Sequence, residues 1–136
     1  MSDRIVKEVF TMGLIGGLLG NAGNINVNEA RKKLSGVILD TEEIDLAFKL
    51  VRDLIIFTDK RLIVIDKQGV TGKKTTYHSF PYKSISRFLV ETTGHFDLDA
   101  ELKIFISSAA EPAITLQFTN DKHIAAIQQA LALAVL

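Results

Sequence analysis

The sequence predicts a mainly β domain in which seven antiparallel strands are followed by one C-terminal helix. Three observations support this fold class. From Glu42 to Phe118 the apolar residues recur with a period of two, and Gly, Pro or a polar turn bounds each apolar run. No segment between these runs is long enough for the helical crossover that parallel strands need. After Phe118 a helical period returns in an alanine-rich segment. Seven short strands at this spacing are typical of a small antiparallel barrel or sandwich.

The composition is that of one folded domain. The chain has 136 residues, 16 basic and 16 acidic side chains, and no cysteine. This balance argues against a nucleic-acid partner, because binding to phosphates requires a basic face. Without cysteine there is no disulfide framework and no thiolate zinc site. We therefore expect a single domain spanning residues 1–136, with no cofactor and no metal, that functions in the cytoplasm.

Residues 1–40 are expected to form a helical lead-in. Apolar residues, among them Leu14 and Leu18, follow a helical period as far as Leu19, although glycines within this segment weaken the helix. A second, short helix is predicted in "NEARKKLSG", which Gly36 ends. The apolar run "VFTMGLIGGLLGNAG" is shorter than a bilayer crossing, and its leader has mixed charge, so we interpret it as a folded segment and not a signal peptide.

Residues 41–119 are expected to contain the strands. In the first strand, Ile44, Leu46 and Phe48 alternate with more polar residues, as in a half-buried strand. The runs "LIIF" and "LIVI" flank the polar residues "TDKR" and predict a hairpin. Four further strands are predicted in "KKTTYHSF", "SISRFLVE", "HFDLDAELKIFIS" and "AITLQF".

Residues 120–136 are expected to form the closing helix. Asn120 or Asp121 can serve as its N-cap, and the alanines favour helix. The apolar stripe that would face the strands consists of Ile124, Ile127, Leu131 and Val135.

The stretch "AFKLVRDLIIFTDKRLIVIDKQGVTGKKTTYHSFPYKSISRFLVETTGHFDLDAELKIFI" resembles the bacterial pleckstrin-homology (PH) family, formerly catalogued as a domain of unknown function. The resemblance extends over nearly the whole chain. It implies a PH-like bent barrel of seven strands with the C-terminal helix plugging one open end. It also implies a noncatalytic domain that forms ring-like homo-oligomers. Phosphoinositide-binding eukaryotic relatives use basic residues between the first two strands, where this chain offers only Lys49 and Arg52.

Sites for chemistry are weakly indicated. The segment "GVTGKK" lacks the glycine spacing and the following helix of a phosphate-binding loop, so it predicts a hairpin turn. The acidic run around His95 is interpreted as a solvated strand face and not a metal site, because strand neighbours on one face stand too far apart to converge on an ion. No serine or threonine lies in a nucleophile motif, and His78 and His123 have no predicted catalytic partner. We expect that the protein is not an enzyme.

The basic residues allow an alternative function. Lys49, Arg52, Lys73 and Lys74 would form an anionic-ligand site if neighbouring turns meet at one rim, together with Lys60, Arg61, Lys67 and Lys83. The domain would then bind anionic lipid peripherally at the inner membrane face. The competing interpretation is that lysines on turns and sheet edges only prevent aggregation.

The two hairpin strands are apolar on both faces, whereas a barrel wall should alternate. Either the N-terminal helices or a second copy of the chain must cover the outer face. Phe105, on an otherwise polar strand face, also suggests a partner surface. We therefore predict a self-assembling scaffold, in closed rings or dimers, whose candidate interface residues are Ile55, Phe57, Ile63, Ile65, Phe105, Leu14 and Leu18.

Overall fold

The structure is a computed structural model that describes residues 27–50, 52–68, 74–92, 99–119 and 123–136. Several predicted features lie outside the described residues. These are the first lead-in helix with Leu14 and Leu18, most of the "GVTGKK" turn including Lys73, the beginning of the sixth predicted strand, and the two candidate N-caps of the last helix.

The described residues form two helices and seven strands. In chain order these are α1 (Val27–Lys33), β1 (Ile44–Lys49), β2 (Asp53–Thr58), β3 (Arg61–Gln68), β4 (Lys74–Pro81), a 3-10 turn (Tyr82–Ser84), β5 (Ile85–Thr92), β6 (Ala100–Ile106), β7 (Ile114–Phe118) and α2 (Ile124–Val135). The predicted fold class is confirmed, including the short lead-in helix and the closing helix.

The strands form two sheets, each with a simple up-and-down order. The first sheet has the order β1-β2-β3-β4 and the second has the order β5-β6-β7. All neighbours are antiparallel. The register shifts after Ile44 in β1 and after Ile85 in β5, as at a β-bulge, and such shifts increase the twist of the strands. The seven strands form these two sheets and do not close into the single bent barrel that the resemblance implied.

The main core lies between the two sheets and α2. Every strand contributes to it, for example Phe48, Phe57 and Val64 from the first sheet, whereas β4 contributes only Phe80. From α2, Ile127, Ala130 and Leu131 are fully buried in it. The stripe predicted for this helix is therefore the packed one, with its last member, Val135, partly buried.

A second core covers the opposite face of the first sheet. It contains Ala30 and Leu34 of the α1 segment, packed on the sheet residues Ile44, Ala47, Leu54, Ile56, Ile63 and Ile65, with Val37 and Ile38 at its edge. Gly36 has a φ of 85°, a left-handed conformation that glycine adopts without strain. It reverses the chain so that Val37 and Ile38 reach the sheet. The chain's own helix and turn therefore cover the outer face.

The strand register corrects the grouping of the hairpin residues. Ile55 lies opposite Val64, and Ile56 lies opposite Ile63. Residues directly opposite share a face, so Ile55 and Phe57 point into the main core while Ile63 and Ile65 point into the second. The expectation that all four lie on one outer face was wrong.

Candidate functional site

A buried ion pair ties the α1 segment to the first sheet. Glu42 is fully buried and accepts two hydrogen bonds from the Arg61 guanidinium, from Nε at 3.0 Å and from Nη2 at 2.9 Å. The Thr58 hydroxyl donates to the same carboxylate at 2.6 Å, and the Leu39 amide donates to it at 3.1 Å. Arg61 also donates to the Val37 carbonyl at 2.8 Å. We call these residues the clamp.

The hydrogen bonds within the clamp stabilise the ionised form of Glu42. Burial alone would raise the pKa of Glu42, but the hydrogen bonds from Arg61, Thr58 and the Leu39 amide outweigh it and hold this pKa below its ordinary value. Tyr82 closes the network by donating to the Thr58 carbonyl at 2.6 Å. The sequence allowed Arg61 to belong to a basic ligand-binding rim. Because its guanidinium is paired with Glu42, Arg61 is not part of such a rim.

One end of the first sheet gathers exposed cations. β1 ends at Lys49, β2 begins after Arg52, and β4 begins at Lys74, so antiparallel pairing brings all three to the same end. Lys67 near the end of β3 adds a fourth exposed cation. We call these four residues the basic end. All four were among the basic residues that the sequence offered for an anionic-ligand site, with Lys67 in the wider set around Lys49, Arg52 and Lys74.

Two carboxyl groups lie within the basic end. Asp53 of β2 is directly opposite Asp66 of β3. Burial, followed by the charge and the hydrogen bond of Asp66, raises the pKa of Asp53 to about 6. Near neutral pH the Asp53 carboxylate is therefore largely ionised and offsets part of the positive charge, and acidification removes this offset.

A depression of about 360 Å³ opens beside β5 and β6. It is lined by Ser86, Arg87, Phe105, Ser108, Ala109 and Ala110. The Arg87 guanidinium lies over the Phe105 ring, 4.0 Å from its centroid, and Phe105 is only 4% exposed. The aromatic residue that the sequence offered as a partner anchor is therefore covered by an arginine of its own chain.

The other candidate interface residues are also buried within the chain. Ile55, Phe57, Ile63 and Ile65 are packed in the two cores, and Leu14 and Leu18 lie outside the described residues. Exposed large apolar side chains in the described ranges are instead Val27, Leu39, Tyr77 and Leu136. Sequence reasoning did not identify these positions.

Both described histidines pack against aromatic rings. His123 precedes α2 and is buried, and the centroid of its ring lies 5.5 Å from that of the Phe48 ring. His78 stacks on Phe80 in β4. Within the described ranges, His, Asp and Glu side chains nowhere form a group of three that could hold a metal ion. No helix in the described part of the chain is long and apolar enough to cross a membrane.

Sequence comparisons identify relatives of the same size. The sequence profile described as the bacterial PH domain matches residues 13–135. The uncharacterized protein YjqA of Bacillus subtilis (strain 168) is 59% identical over 121 residues, which cover 89% of this chain and 97% of that protein. The uncharacterized protein YozO of the same organism is 33% identical over 100 residues, covering 74% of this chain and 84% of YozO.

Solved structures agree with the sequence matches. A pleckstrin homology domain from Shewanella amazonensis SB2B superimposes with a TM-score of 0.77 at 48% identity, covering 90% of this chain and 98% of that one. A DUF1696 family protein with a pleckstrin-homology domain, from Shewanella loihica PV-4, gives a TM-score of 0.70 at 46% identity, covering 86% of this chain and 99% of that one.

Proposed function

Because the chain belongs to the bacterial PH domain family, whose domains are in general noncatalytic modules, we propose that it is a binding and scaffold module that associates with copies of itself. The hydrophobic argument for self-association is weakened, since α1 and the turn after it bury the second apolar face of the hairpin. The surface that now favours self-association is a sheet edge.

The observation that carries this proposal is the outer edge of β4. In the described residues β4 is the last strand of the first sheet, and its pairing is with β3 alone. It is eight residues long, and only its ends carry the Lys and Pro that commonly protect an edge, at Lys74 and Pro81. The six residues between them, "TTYHSF", include no Lys, Arg, Asp or Glu and contain good strand formers.

Pairing of two β4 edges would join two four-stranded sheets across a twofold axis. Such an interface is self-complementary and closes on itself, which limits growth. Tyr77 lies midway along the strand, is 46% exposed and would contribute apolar area on the sheet face beside the new contact. The backbone groups of the edge would supply most of the specificity.

Light scattering after size exclusion tests this proposal. We expect the full chain at micromolar concentration to give a multiple of its 15.0 kDa mass. Tyr77→Lys should reduce the mass to that of one chain, because a lysine at the edge opposes pairing. Leu39→Lys is the matched control, since Leu39 is also exposed and apolar but precedes β1. A parent protein with the mass of a single chain contradicts self-association, and equal effects of both variants contradict the assignment to β4.

The basic end favours a second function, binding of anionic lipid at a membrane surface. The supporting observation is that strand pairing brings Lys49, Arg52, Lys67 and Lys74 to one end of the sheet. Each cation near an anionic surface contributes on the order of 1 kcal/mol. Asp53 and Asp66 lie among them, so we expect this binding to be weak at neutral pH and stronger under mild acid.

Flotation with vesicles that contain phosphatidylserine tests lipid binding. The double variant Arg52→Glu with Lys74→Glu should remove any flotation. The double variant Lys60→Glu with Lys83→Glu changes the same charge at the opposite end of the sheet and should have no effect. If the control variant loses flotation to the same extent, the attraction is general and not a property of the basic end. If the parent protein does not float, even under mild acid, the lipid proposal is wrong.

A further inference from the structure

We propose that the depression beside Arg87 binds a small carboxylate carried on an apolar group. This site is on the outer side of the second sheet and does not involve β4 or the basic end. Its donor is Arg87, its apolar wall is Phe105 with Ala109 and Ala110, and Ser86 and Ser108 complete the lining.

Arg87 is oriented for such a ligand. Its guanidinium carbon lies over the Phe105 ring, 4.0 Å from the ring centroid, so the ring covers one side of the cation. Arg87 is exposed, and in the described part of the chain the ion pairs are Arg31 with Glu43, Arg61 with Glu42, and Lys103 with Glu91. No described carboxylate therefore neutralises Arg87, although the other cation on this sheet face, Lys103, has one.

The turn between β6 and β7 shapes the other wall. Ser107 and Ser108 have φ values of 53° and 56°, both left-handed, and the Ala109 amide donates to the Ile106 carbonyl at 3.0 Å. Two successive positive φ values define a type I′ turn, which normally takes Asn or Gly. Ser86 holds this turn, because its Oγ accepts from the Ser108 amide at 3.1 Å and donates to the Phe105 carbonyl at 3.2 Å.

The chemistry of the lining selects the ligand class. A planar guanidinium can hold both oxygens of one carboxylate, and one cation matches one negative charge. A phosphate dianion carries two negative charges and would need more than one cation, whereas Arg87 is the one cation among the described residues of this lining. Because Phe105 and two alanines form the rest of the wall, an apolar group next to the carboxylate would be partly desolvated. The volume of about 360 Å³ is at the small end of ligand pockets and suits an acid the size of benzoate.

Amide NMR on the labelled full chain tests this inference with benzoate as the probe. We expect benzoate to shift the amide signals of Arg87, Phe105 and Ser108 with a dissociation constant on the order of 1 mM, as for a fragment-sized ligand. Benzamide has the same shape without the charge and should bind at least about tenfold more weakly. A comparison of N-acetyl-leucine with its amide tests whether the site also accepts the carboxylate at the C-terminus of a peptide.

Two variants separate a built site from general attraction. Arg87→Lys keeps the charge but loses the planar fork, so we expect benzoate to bind at least about tenfold more weakly. Lys103→Gln removes the ion-paired cation of the same sheet face and should leave the affinity unchanged. The dispersion of the spectra reports whether each variant is folded. Absence of shifts at these amides, equal binding of benzamide, or equal loss in Lys103→Gln would each overturn the proposal.

Discussion

Removing the charge of Glu42 should cost the domain a large part of its stability. In Glu42→Gln the buried side chain keeps its shape, but Arg61, whose side chain is only 22% exposed, loses its counterion. Breaking one partner of a buried pair typically costs about 3–5 kcal/mol, because the other charge stays desolvated. Since Arg61 keeps some solvent contact and its bond to the Val37 carbonyl, we expect the lower value, about 3 kcal/mol.

The reciprocal variant is expected to be worse. Arg61→Gln leaves the carboxylate of Glu42 with no solvent contact and with only the Thr58 hydroxyl and the Leu39 amide as donors. The cost should approach about 5 kcal/mol. The double variant Glu42→Gln with Arg61→Gln should cost less than the sum of the two single changes, because the interaction is lost only once.

Urea unfolding of the full chain measures these differences, and a neighbouring residue is the matched control. Glu43 pairs with Arg31 at 3.7 Å, but its side chain is 69% exposed. Exposed pairs contribute about 0–1 kcal/mol, so Glu43→Gln should change the free energy of unfolding by no more than about 0.5 kcal/mol. If Glu42→Gln also costs less than about 1 kcal/mol, the clamp does not hold the α1 segment and the reasoning is refuted.

The pH dependence gives an independent check on the same residue. The folded-state pKa of Glu42 is lowered, so its contribution to stability is present above its unfolded pKa and is lost as the pH falls through the folded value. The parent protein should lose stability over this acid window more steeply than Glu42→Gln. Parallel curves for the two proteins would mean that Glu42 has no shifted pKa in the folded state.

Three further predictions concern the sheet, the turn after α1 and the basic end. Ile63→Ala should lower the free energy of unfolding in urea by about 3 kcal/mol, because Ile63 is fully buried in the second core. Gly36→Ala should cost about 1 kcal/mol in the same assay, through its positive φ alone, because an added Cβ would contact nothing. Asp53→Asn should be more stable than the parent at neutral pH by about 1–2 kcal/mol after allowance for solvent screening. The pKa of Asp53 is raised from 3.8 to about 6, so protonated Asp53 stabilises the folded parent protein in acid, and this contribution is lost as the pH rises through that window. The stability advantage of Asp53→Asn should therefore vanish in acid.

The order of the elements could be predicted because it depends on local patterns. The periods of two and 3.6 residues, with Gly and Pro between them, placed all seven strands and both described helices within a few residues of their bounds. The sequence also placed the stop of this helix at Gly36, and the helix ends at Lys33, shortly before the left-handed residue Gly36.

The assignment of strand faces could not be made from the apolar runs alone. In the hairpin, Phe57 pairs with Leu62, so an odd residue of β2 shares a face with an even residue of β3. Grouping Ile55 with Ile63 ignored this parity, which the length of the turn determines. The register can be predicted only when the turn geometry is known. A run that is apolar at every position does not itself show which residues face inward.

The clamp could not be predicted from the sequence, for a different reason. Glu42 and Glu43 are adjacent and chemically identical in the sequence, yet one is fully buried and the other is mostly exposed. The difference arises from Arg61, which is 19 residues away along the chain. A pairing of this kind has no local period. The same holds for Arg87, whose importance depends on a ring in the neighbouring strand.

The position of α1 changes which surfaces a partner could use. A first sheet that is apolar on both faces would have required a hydrophobic interface with a second chain, but α1 and its turn occupy that face and the clamp holds them there. Among the described residues, the surfaces left for recognition are therefore polar or narrow: the edge of β4, the basic end and the depression beside Arg87. Interfaces of this kind depend on backbone pairing and on single charges more than on buried area, so they should respond to one charge reversal at the contact and tolerate the same reversal elsewhere.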